Sequence, residues 1–591
     1  MTKDQLPSSV VCHLSAVRRD LALEPGLAPA LAELGRGAAE TAWLLRALAS
    51  DPLQLEALIN LGALAVMRGE RSTALAALAR ALALKPDAAS AWINLGGALG
   101  LSAAAVPAFR RALALEPEAG DAAVHVADAL RAGDPLIAAV PAYRRALALL
   151  PGEPRLFESL AFALAYDPDA VNAEILMLNR RWASLLEHAP AVPHDHDRDP
   201  DAADAADAAE RRLRIGYLSA DLYDHPVGRN LVGLVEHHDA QAVEACLYAL
   251  NGGAGDAVTA RLRAAASLWR EVGGLDDRAL ASRIGADRID VLVVLAGHTP
   301  FNRLAVAALK PAPVQIAMHD VASSGLDAID AVFGDATLMP DDGEFLEEVV
   351  RLPCFYLHDR LPEVALSPAH AGAGAAGGVA EDAVMLGSCS NPGKLNDRVI
   401  ALWAEILRHL PQARLMLKYR DRFGDPLVRR RWLERMAAAG IGGDRLVFRT
   451  GAEELAEHLA VLGGIDIAFD PFPFNGCTTT YEALWMGVPV VTLKGRRFVG
   501  RAGQAMLERV GLGDLVAADE AAYVETVLDL ARDGPRRARL RGELRGRLRA
   551  SALLDAPAYA REVEAAYRRL WRRRNQKARS QKPEGQKSDA G

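Results

Sequence analysis

Two neighbouring threonines stand where the sequence changes from strand-like to helix-like. The apolar run Ile465–Phe469 is typical of a buried parallel strand, and Gly476 and Cys477 follow it in a turn. Thr478 and Thr479 then begin a helical pattern, and the first turn of a helix has free N–H groups. Such a helix start favours an anion such as phosphate. We therefore predict that residues 476–479 bind the phosphates of a nucleotide.

A lysine follows a second strand-like run and precedes a second helix-like run. Lys394 lies between the predicted strand Val384–Ser388 and the predicted helix Arg398–Leu410. A cation at a helix entrance, beside the carboxyl end of a strand, is suited to neutralise charge on a departing phosphate. We predict that Lys394 is a catalytic residue and that Asn391 belongs to the same nucleotide-binding loop.

His225 and Glu482 are candidate site residues, and more than one role fits each of them. His225 follows the predicted strand Leu213–Ser219, and a histidine can accept a proton near neutral pH. Substrate phosphate or ordered water can do the same, so we predict an active-site position for His225 without assigning it as the base. Glu482 lies one turn into the helix that Thr478 begins. It either binds a ribose hydroxyl or caps the first turn of the helix.

The overall composition disfavours several classes of protein. The chain has 591 residues and a formal net charge of −8, which argues against a nucleic-acid binder. Its five cysteines are scattered and form no CxxC pair, so we predict neither a disulfide framework nor a zinc site. The sequence has no signal-peptide core and no apolar run of about 18 residues. We therefore expect a cytoplasmic protein that does not enter a membrane.

A repeat occupies the first third of the chain. Helix-ending prolines are separated by 34, 31 and 34 residues, at Pro52, Pro86, Pro117 and Pro151. This spacing resembles the tetratricopeptide repeat, in which helix pairs stack into an α-solenoid. Such arrays bind protein segments, so we predict that residues 1–187 recruit a protein partner. A spacer, or a contact that forms a homodimer, would show the same pattern.

The rest of the chain has the pattern of an α/β protein. An acidic, low-complexity segment at 188–211 is typical of a linker. From Leu213 onwards, strand-like and helix-like runs alternate, which predicts two parallel-sheet lobes with a ligand cleft at their strand ends. The helical run Tyr559–Arg573 is expected to cross back and brace the lobes. The expected boundaries are an amino lobe at 212–365, a hinge at 366–381, a carboxy lobe at 382–577 and a disordered tail at 578–591.

Four blocks of this α/β region resemble the O-GlcNAc transferase and SPINDLY-like family of protein glycosyltransferases. They are Leu213–Arg229, Ala296–Gln315, Gly387–Leu410 and Asp466–Leu493. The resemblance implies a GT-B fold of two Rossmann-like lobes. It also implies an inverting, metal-independent enzyme without a cofactor, which moves a sugar from a nucleotide donor to serine or threonine of a protein recruited by the repeats. The default donor is UDP-GlcNAc or a related UDP-hexose.

The resemblance further implies roles for single residues. The family lysine that matches Lys394 contacts the nucleotide diphosphate, and the family threonines that match Thr478 and Thr479 hold the donor phosphates. The family histidine that matches His458 packs beside the nucleotide base, and the one that matches His225 lies at the sugar and acceptor end of the cleft. The expected wall near the sugar and the acceptor consists of Gly297, His298, Thr299 and His319.

Two departures from the family pattern leave the donor open. A segment of tryptophan-glycine-tyrosine-proline type is replaced by Met318–Ala322. Cys477 stands at a position that is often histidine in the animal enzymes. We interpret it as a packing residue and not as a nucleophile. The changed wall favours a CMP-linked nonulosonic acid as the second candidate donor, with flagellin as acceptor. Two further classes fit part of the sequence, namely a non-catalytic repeat adaptor or chaperone and a nucleotide-sugar epimerase.

Overall fold

The computed structural model describes residues 36–186, 191 and 211–580, apart from 101, 134, 252–254, 342, 367–383 and 452–453. Nearly all of the predicted linker, hinge and tail lies outside the described residues, and so does Cys12. The chain divides into two compact units, Met1–Ala163 and Leu164–Gly591.

The first unit consists of consecutive helices joined by short turns. In the middle repeat, both helices are shorter than in the repeat before it, which agrees with the 31-residue spacing of its prolines. The helices are α1 (Arg36–Ser50), α2 (Leu55–Arg68), α3 (Arg71–Leu84), α4 (Ala89–Leu99), α5 (Val106–Leu115), α6 (Gly120–Arg131), α7 (Val140–Leu149) and α8 (Pro154–Leu164).

Two glycines allow the paired helices to pack closely. Gly62 in α2 and Gly96 in α4 occupy equivalent positions of successive repeats. A Cβ atom at Gly62 would lie 2.5 Å from Cγ of Leu78, and one at Gly96 would overlap the ring of Phe109. Non-bonded carbon atoms do not approach that closely, since their favourable separation is about 3.5–4.0 Å. The predicted helix-pair repeat is therefore confirmed, with glycine at its tightest contact.

Helix α9 (Asn172–Leu186) belongs to the second unit, although its place in the sequence predicts that it belongs to the repeats. Asn179 Nδ2 donates a hydrogen bond of 2.8 Å to Ser323 O, and Arg180 Nη1 donates one of 3.1 Å to Gly325 O. A Cβ atom at Gly325 would lie 2.5 Å from the carbonyl oxygen of Asn179, so only glycine permits this approach. The structural division at 163/164 therefore comes before the predicted boundary at 187.

The amino lobe contains a parallel sheet of seven strands. Its strands are β1 (Leu213–Ser219), β2 (Val243–Ala249), β3 (Leu268–Glu271), β4 (Val291–Leu295), β5 (Val314–Met318), β6 (Ala331–Asp335) and β7 (Glu348–Leu352), in the order β3-β2-β1-β4-β5-β6-β7. The helices of this lobe are α10 (Pro226–Glu236), α11 (Ala257–Ala265), α12 (Asp277–Ala286) and α13 (Ala305–Ala308). The central strands β4 and β5 are almost entirely apolar because they are buried on both faces.

The carboxy lobe contains a second parallel sheet, of six strands. They are β8 (Met385–Ser388), β9 (Arg414–Lys418), β10 (Leu446–Arg449), β11 (Ile467–Phe469), β12 (Val490–Leu493) and β13 (Val516–Ala517), in the order β10-β9-β8-β11-β12-β13. The helices are α14 (Asp397–His409), α15 (Pro426–Ala438), α16 (Leu455–Gly463), α17 (Thr478–Trp485), α18 (Ala502–Arg509), α19 (Glu520–Arg532) and α20 (Gly534–Arg549). Two parallel sheets in succession confirm the predicted pair of Rossmann-like lobes.

The last helix, α21 (Ala556–Ser580), packs on the amino lobe although it follows the carboxy lobe in sequence. The hydroxyl groups of Tyr567 and Tyr217 lie 3.0 Å apart, and the Glu564 carboxylate lies 2.8 Å from His238 Nδ1. Helix α21 therefore crosses back as the sequence predicts, and it extends beyond the predicted end at Arg573.

Each sheet reverses its strand order once, between β1 and β4 in the amino lobe and between β8 and β11 in the carboxy lobe. Ligands of open α/β sheets bind at the carboxyl ends of the strands beside such a reversal. The loops at these ends carry His225, Gly297–Thr299, Lys394 and Gly476–Thr479. The fold therefore places these four groups of predicted site residues at the expected ligand positions of the two sheets.

A buried arginine links α20 to the start of β11. Arg541 donates hydrogen bonds to Gly463 O at 2.8 Å and to Ile465 O at 2.6 Å, and it lies 3.6 Å from the Asp466 carboxylate. We expect Arg541→Met to lower the free energy of unfolding by about 3 kcal/mol, because a buried carboxylate and two carbonyl groups lose their donor. Urea denaturation followed by circular dichroism measures this change. Arg539→Met, at an exposed position of α20, is the control and should leave the unfolding midpoint unchanged.

Candidate active site

Lys394 lies at the end of a short 3-10 turn directly after β8. Its Nζ donates a hydrogen bond of 2.6 Å to Asn475 O and lies 4.3 Å from the ring centre of Phe474. The lysine therefore reaches from the loop after β8 to the loop that leads into α17. Burial lowers the pKa of Lys394 to about 8, and the negative charge of Asp470 opposes this shift.

Asp470 and Asn475 hold the loop between β11 and α17, and neither was among the predicted site residues. The Asp470 side chain is buried, and its carboxylate accepts hydrogen bonds from Gly476 N at 2.5 Å and from Thr492 Oγ1 at 2.6 Å. Burial raises the pKa of Asp470. Asn475 Nδ2 donates to Pro471 O at 2.9 Å. The signal that could have found Asp470 is an aspartate at the end of a buried apolar strand.

Helix α17 begins at Thr478, and Cys477 is its N-cap residue. The Cys477 side chain makes no capping hydrogen bond, so it leaves the N–H groups of the first turn to other acceptors. Thr478 and Thr479 are partly buried beside this turn. Burial raises the pKa of the Cys477 thiol, which keeps the thiol protonated and unsuited to act as a nucleophile. The helix start therefore offers an anion N–H groups and hydroxyls.

Asn391 and Asn396 shape the turn that carries Lys394. Asn391 Oδ1 accepts a hydrogen bond of 2.9 Å from Gly393 N. Asn396 Oδ1 accepts one of 3.1 Å from Val399 N and so caps α14. The structure therefore places Asn391 in the predicted loop, where its side-chain oxygen is used to form the turn.

His225 is the N-cap residue of α10. Its Nδ1 accepts a hydrogen bond of 3.4 Å from Val227 N and lies 3.7 Å from the Asp221 carboxylate. A ring nitrogen that accepts carries no proton, so the proton of the neutral ring lies on Nε2. Burial lowers the pKa of His225, and Asp221 opposes this shift. In this arrangement Nε2 of His225 is a hydrogen-bond donor.

The loop after β4 carries three predicted wall residues, and two of them, Gly297 and His298, lie beside a buried carboxylate. His298 Nδ1 lies 2.9 Å from Asp320 Oδ2, and the backbone N–H of His298 donates to the same carboxylate. A Cβ atom at Gly297 would lie 3.0 Å from Asp320 Oδ2, so this position requires a small residue. Thr299 Oγ1 donates to Ala296 O at 2.8 Å. Asp320, which was not among the predicted site residues, holds His298 in this wall.

His319, the fourth predicted wall residue, has a strained backbone. Its φ angle is +58°, in the left-handed region that residues other than glycine rarely adopt. Its ring packs on the rings of Phe355 and Tyr356, with centroid distances of 5.8 and 5.1 Å. Burial lowers the pKa of His319 to about 3, so the ring is neutral. His319 is therefore a buried part of an aromatic cluster at the end of β5.

Glu482 makes no cap; instead it joins residues from both lobes. Its Oε2 lies 3.1 Å from Nε2 of His458, and the other ring nitrogen of His458 lies 2.9 Å from Lys418 Nζ. Its Oε1 lies 3.8 Å from Arg229 Nη1, which belongs to α10 of the amino lobe. The structure thus brings together the predicted residues Glu482 and His458. It adds Lys418 and Arg229, which no local sequence pattern singles out.

A comparison with known protein families identifies the chain. The model of glycosyl transferase family 41 matches residues 181–352 and 371–563, which is more than half of the sequence. The chain belongs to glycosyl transferase family 41. The family resemblance that the four sequence blocks indicated is therefore confirmed.

Two plant members of the family illustrate the similarity. The SPINDLY proteins of Arabidopsis thaliana and Oryza sativa subsp. japonica are 32% identical over 424 residues and 33% identical over 423 residues. Each is described as a probable UDP-N-acetylglucosamine–peptide N-acetylglucosaminyltransferase. Both alignments cover 70% of this chain and 44% of the plant protein, so the chain spans less than half the length of these relatives.

A solved structure resembles most of the chain. A mutant of the O-GlcNAc transferase of Thermobaculum terrenum superposes with a TM-score of 0.75 and 34% sequence identity. The match covers 89% of this chain and 98% of the other. The predicted fold class, a tetratricopeptide-repeat solenoid followed by a GT-B region, is thereby confirmed.

Metal clusters and membrane-spanning helices are both absent from the part of the chain that the structure describes. No group of three or more histidine, cysteine, aspartate or glutamate side chains there is placed to hold a metal ion. Among the helices of the same residues, none has the length and apolar character needed to cross a membrane.

The lowered pKa of Lys394 predicts a pH dependence of nucleotide binding. Bound phosphate favours the charged lysine, so affinity should be fully present below about pH 8 and should decline as the pH rises through that value. Isothermal titration of UDP between about pH 7 and 9 measures this decline. Lys394→Arg, whose side chain stays charged throughout the range, should bind with nearly constant affinity. The same decline in the arginine variant would show that another group titrates.

Proposed function

We propose that this chain transfers a sugar from a nucleotide donor, by default UDP-GlcNAc, to serine or threonine hydroxyls of an acceptor protein. The observation that carries the proposal is the contact between Lys394 Nζ and Asn475 O, which holds a cation beside the open start of α17. A cation and free N–H groups at one point are suited to a diphosphate. The names of the plant relatives and of the similar solved structure support GlcNAc as the sugar.

The proposed chemistry is a single displacement with inversion at the sugar. The acceptor oxygen forms a bond to C1 of the sugar while the bond from C1 to the phosphate oxygen breaks, and the nucleoside diphosphate leaves. Negative charge develops on the leaving phosphate, where Lys394 and the first turn of α17 stabilise it without a metal ion. The attraction between these two groups and the phosphate increases as that charge grows, so they stabilise the transition state more than the bound donor.

His225 is proposed to orient a substrate oxygen and not to remove its proton. Its Nδ1 accepts from Val227 N, so Nε2 carries the ring proton and can donate to an oxygen of the sugar or of the acceptor. The acceptor proton then passes to water or to a donor phosphate oxygen. A transfer rate that depends on the ionisation of His225 would contradict this assignment.

A groove in the first unit supports recruitment of the acceptor by the repeats. Its volume is about 540 Å³, and it is lined mainly by apolar residues of α5, α6 and α7, together with Arg110 and Arg145. Arg145 Nη2 donates a hydrogen bond of 3.0 Å to Pro117 O. Guanidinium groups beside apolar walls suit a peptide with apolar and acidic side chains. We therefore propose an acceptor segment of that composition.

Intact-mass spectrometry tests the proposed reaction. The chain is incubated with UDP-GlcNAc and a candidate acceptor protein, flagellin included, and the acceptor should gain the mass of one or more N-acetylhexosamine residues. Lys394→Met is the matched control and should add no mass. An unchanged acceptor in both reactions, with free sugar released from the donor, would favour an epimerase or hydrolase.

A second donor is tested because the wall after β5 differs from the family pattern. Met318–Ala322 contains the strained His319 and the buried Asp320. Its departure from the family's sequence pattern is the reason for a CMP-linked nonulosonic acid as the second candidate donor. Thermal denaturation is compared with UDP, GDP, CMP and no nucleotide. The nucleotide that raises the melting temperature identifies the donor class, and no stabilisation by any of them would favour a non-catalytic adaptor.

A further inference from the structure

Three side chains form a continuous polar chain in the carboxy lobe. Lys418 Nζ lies 2.9 Å from Nδ1 of His458, and Nε2 of the same ring lies 3.1 Å from Oε2 of Glu482. The residues come from the last position of β9, from α16 and from α17. No spacing in the sequence connects Lys418 with the other two.

The chemistry of these groups fixes the direction of the hydrogen bonds. A lysine ammonium group can only donate, so Nδ1 of His458 accepts. The single proton of the neutral ring then lies on Nε2 and is donated to Glu482, which as a carboxylate only accepts. Lys418 therefore determines that the ring proton of His458 lies on Nε2, the nitrogen beside Glu482.

The burial of Lys418 indicates that this arrangement serves more than stability. Lys418 is 1% exposed, and Glu482 is 4% exposed. The ammonium group of Lys418 is hydrogen-bonded to an imidazole ring and not to a carboxylate. Removing an ammonium group from water costs several kcal/mol unless it is well paired, and an apolar residue would suit the end of β9 better. A buried charge of this kind at the carboxyl end of a strand points to a ligand site.

Glu482 keeps one oxygen for a ligand. Its Oε2 is held by His458, while its Oε1 lies 3.8 Å from Arg229 Nη1, which is beyond hydrogen-bond distance. Oε1 therefore retains the capacity to accept a hydrogen bond. Because Glu482 lies one turn beyond Thr478, where the proposed diphosphate binds, the next group along a nucleotide that could donate to it is a ribose hydroxyl.

We propose that Lys418 is a positioning residue for the nucleoside part of the donor. It holds His458 with the ring proton on Nε2, and His458 in turn holds Glu482 as the acceptor of a ribose hydroxyl. This inference rests on the proposed function, because it requires a nucleotide at the start of α17. Lys418 itself does not touch the donor.

The test compares a nucleotide with a ligand that lacks the nucleoside. Lys418→Met should weaken the binding of UDP about tenfold to a hundredfold, since Glu482 loses its fixed orientation, and it should leave inhibition by inorganic pyrophosphate unchanged. Loss of an ordinary structural residue would weaken the binding of both UDP and pyrophosphate. Lys418→Arg keeps a donor and should recover part of the UDP affinity. Lys85→Met, at an exposed position of the first unit, is the control and should change neither.

A double-mutant cycle tests whether Lys418 acts through His458. His458→Phe alone should weaken UDP binding to a similar extent, and the double variant should be no weaker than His458→Phe. Additive losses in the double variant would overturn the proposal. If Lys418→Met does not fold, as judged by its thermal denaturation, the same cycle is measured with Lys418→Gln.

The outcomes separate this inference from the proposed function. If the unaltered chain binds no nucleotide among UDP, GDP and CMP, the proposed function fails and this inference fails with it. If the unaltered chain binds UDP and Lys418→Met binds it equally well, the positioning role alone is refuted. If Lys418→Met weakens the binding of UDP and of pyrophosphate equally, Lys418 supports the lobe as a whole, and the inference is again refuted.

Discussion

Lys394→Met is expected to reduce sugar transfer about a thousandfold while the chain remains folded. The lysine places its charged Nζ 2.6 Å from Asn475 O, beside the start of α17, and methionine fills similar space without charge. Without the ammonium group, charge on the leaving phosphate is opposed only by the helix start. The rate is measured as mass gained by the acceptor over time, with circular dichroism to verify the fold.

Charge and shape at this position are separated by two further variants. Lys394→Arg keeps the charge but cannot place a single Nζ between the two loops, so it should retain only part of the activity. Lys85→Met, at the exposed C-terminal end of α3, should transfer sugar at the normal rate. Undiminished transfer by Lys394→Met would remove Lys394 from the proposed mechanism.

Gly476→Ala is expected to weaken nucleotide binding about a hundredfold. A Cβ atom at this position would lie 2.6 Å from Thr479 Oγ1, 2.8 Å from Thr480 Oγ1 and 3.0 Å from Asp470 Oδ1. These contacts are too short, so either the turn or the hydroxyl groups of Thr479 and Thr480 must move. The N–H groups and hydroxyls that face the phosphate then lose their alignment. The dissociation constant of UDP, measured by isothermal titration, reports the change.

A matched glycine shows whether the effect belongs to the turn. Gly546 lies in α20, and a Cβ atom there would meet nothing within 4 Å. Gly546→Ala should therefore leave UDP binding unchanged and should stabilise the helix slightly, since alanine is the better helix former. Equal UDP affinity in Gly476→Ala and the unaltered chain would mean that the phosphate lies elsewhere.

Several features can be predicted from the sequence because neighbours in the chain determine them. The start of α17 at Thr478 follows from local residue types, and the repeat follows from the spacing of proline and glycine. The predicted strand Leu213–Ser219 has the same bounds as β1 in the structure. Strands β3, β5, β6, β7 and β13 were missed, since each has at most five residues and its pairing depends on distant residues.

The wall of the cleft could be predicted only in outline. Gly297, His298 and Thr299 were predicted together because they are adjacent in sequence. The carboxylate that holds His298, Asp320, comes from the loop after the neighbouring strand. The positive φ angle of His319 likewise depends on how β5 ends beside other strands, and no periodic pattern reports a single strained residue.

The sequence by itself determined the family, the order of repeats and lobes, and the local parts of the predicted phosphate site, because hydrophobic periodicity and helix-start chemistry act over a few residues.

The tertiary structure decided which distant groups meet. Arg229, Lys418, His458 and Glu482 lie on four separate elements, and they converge only when those elements pack together. It also placed α9 in the second unit, through its bonds to Ser323 and to residues near it. Such contacts depend on the packing of whole elements, which local sequence patterns do not specify.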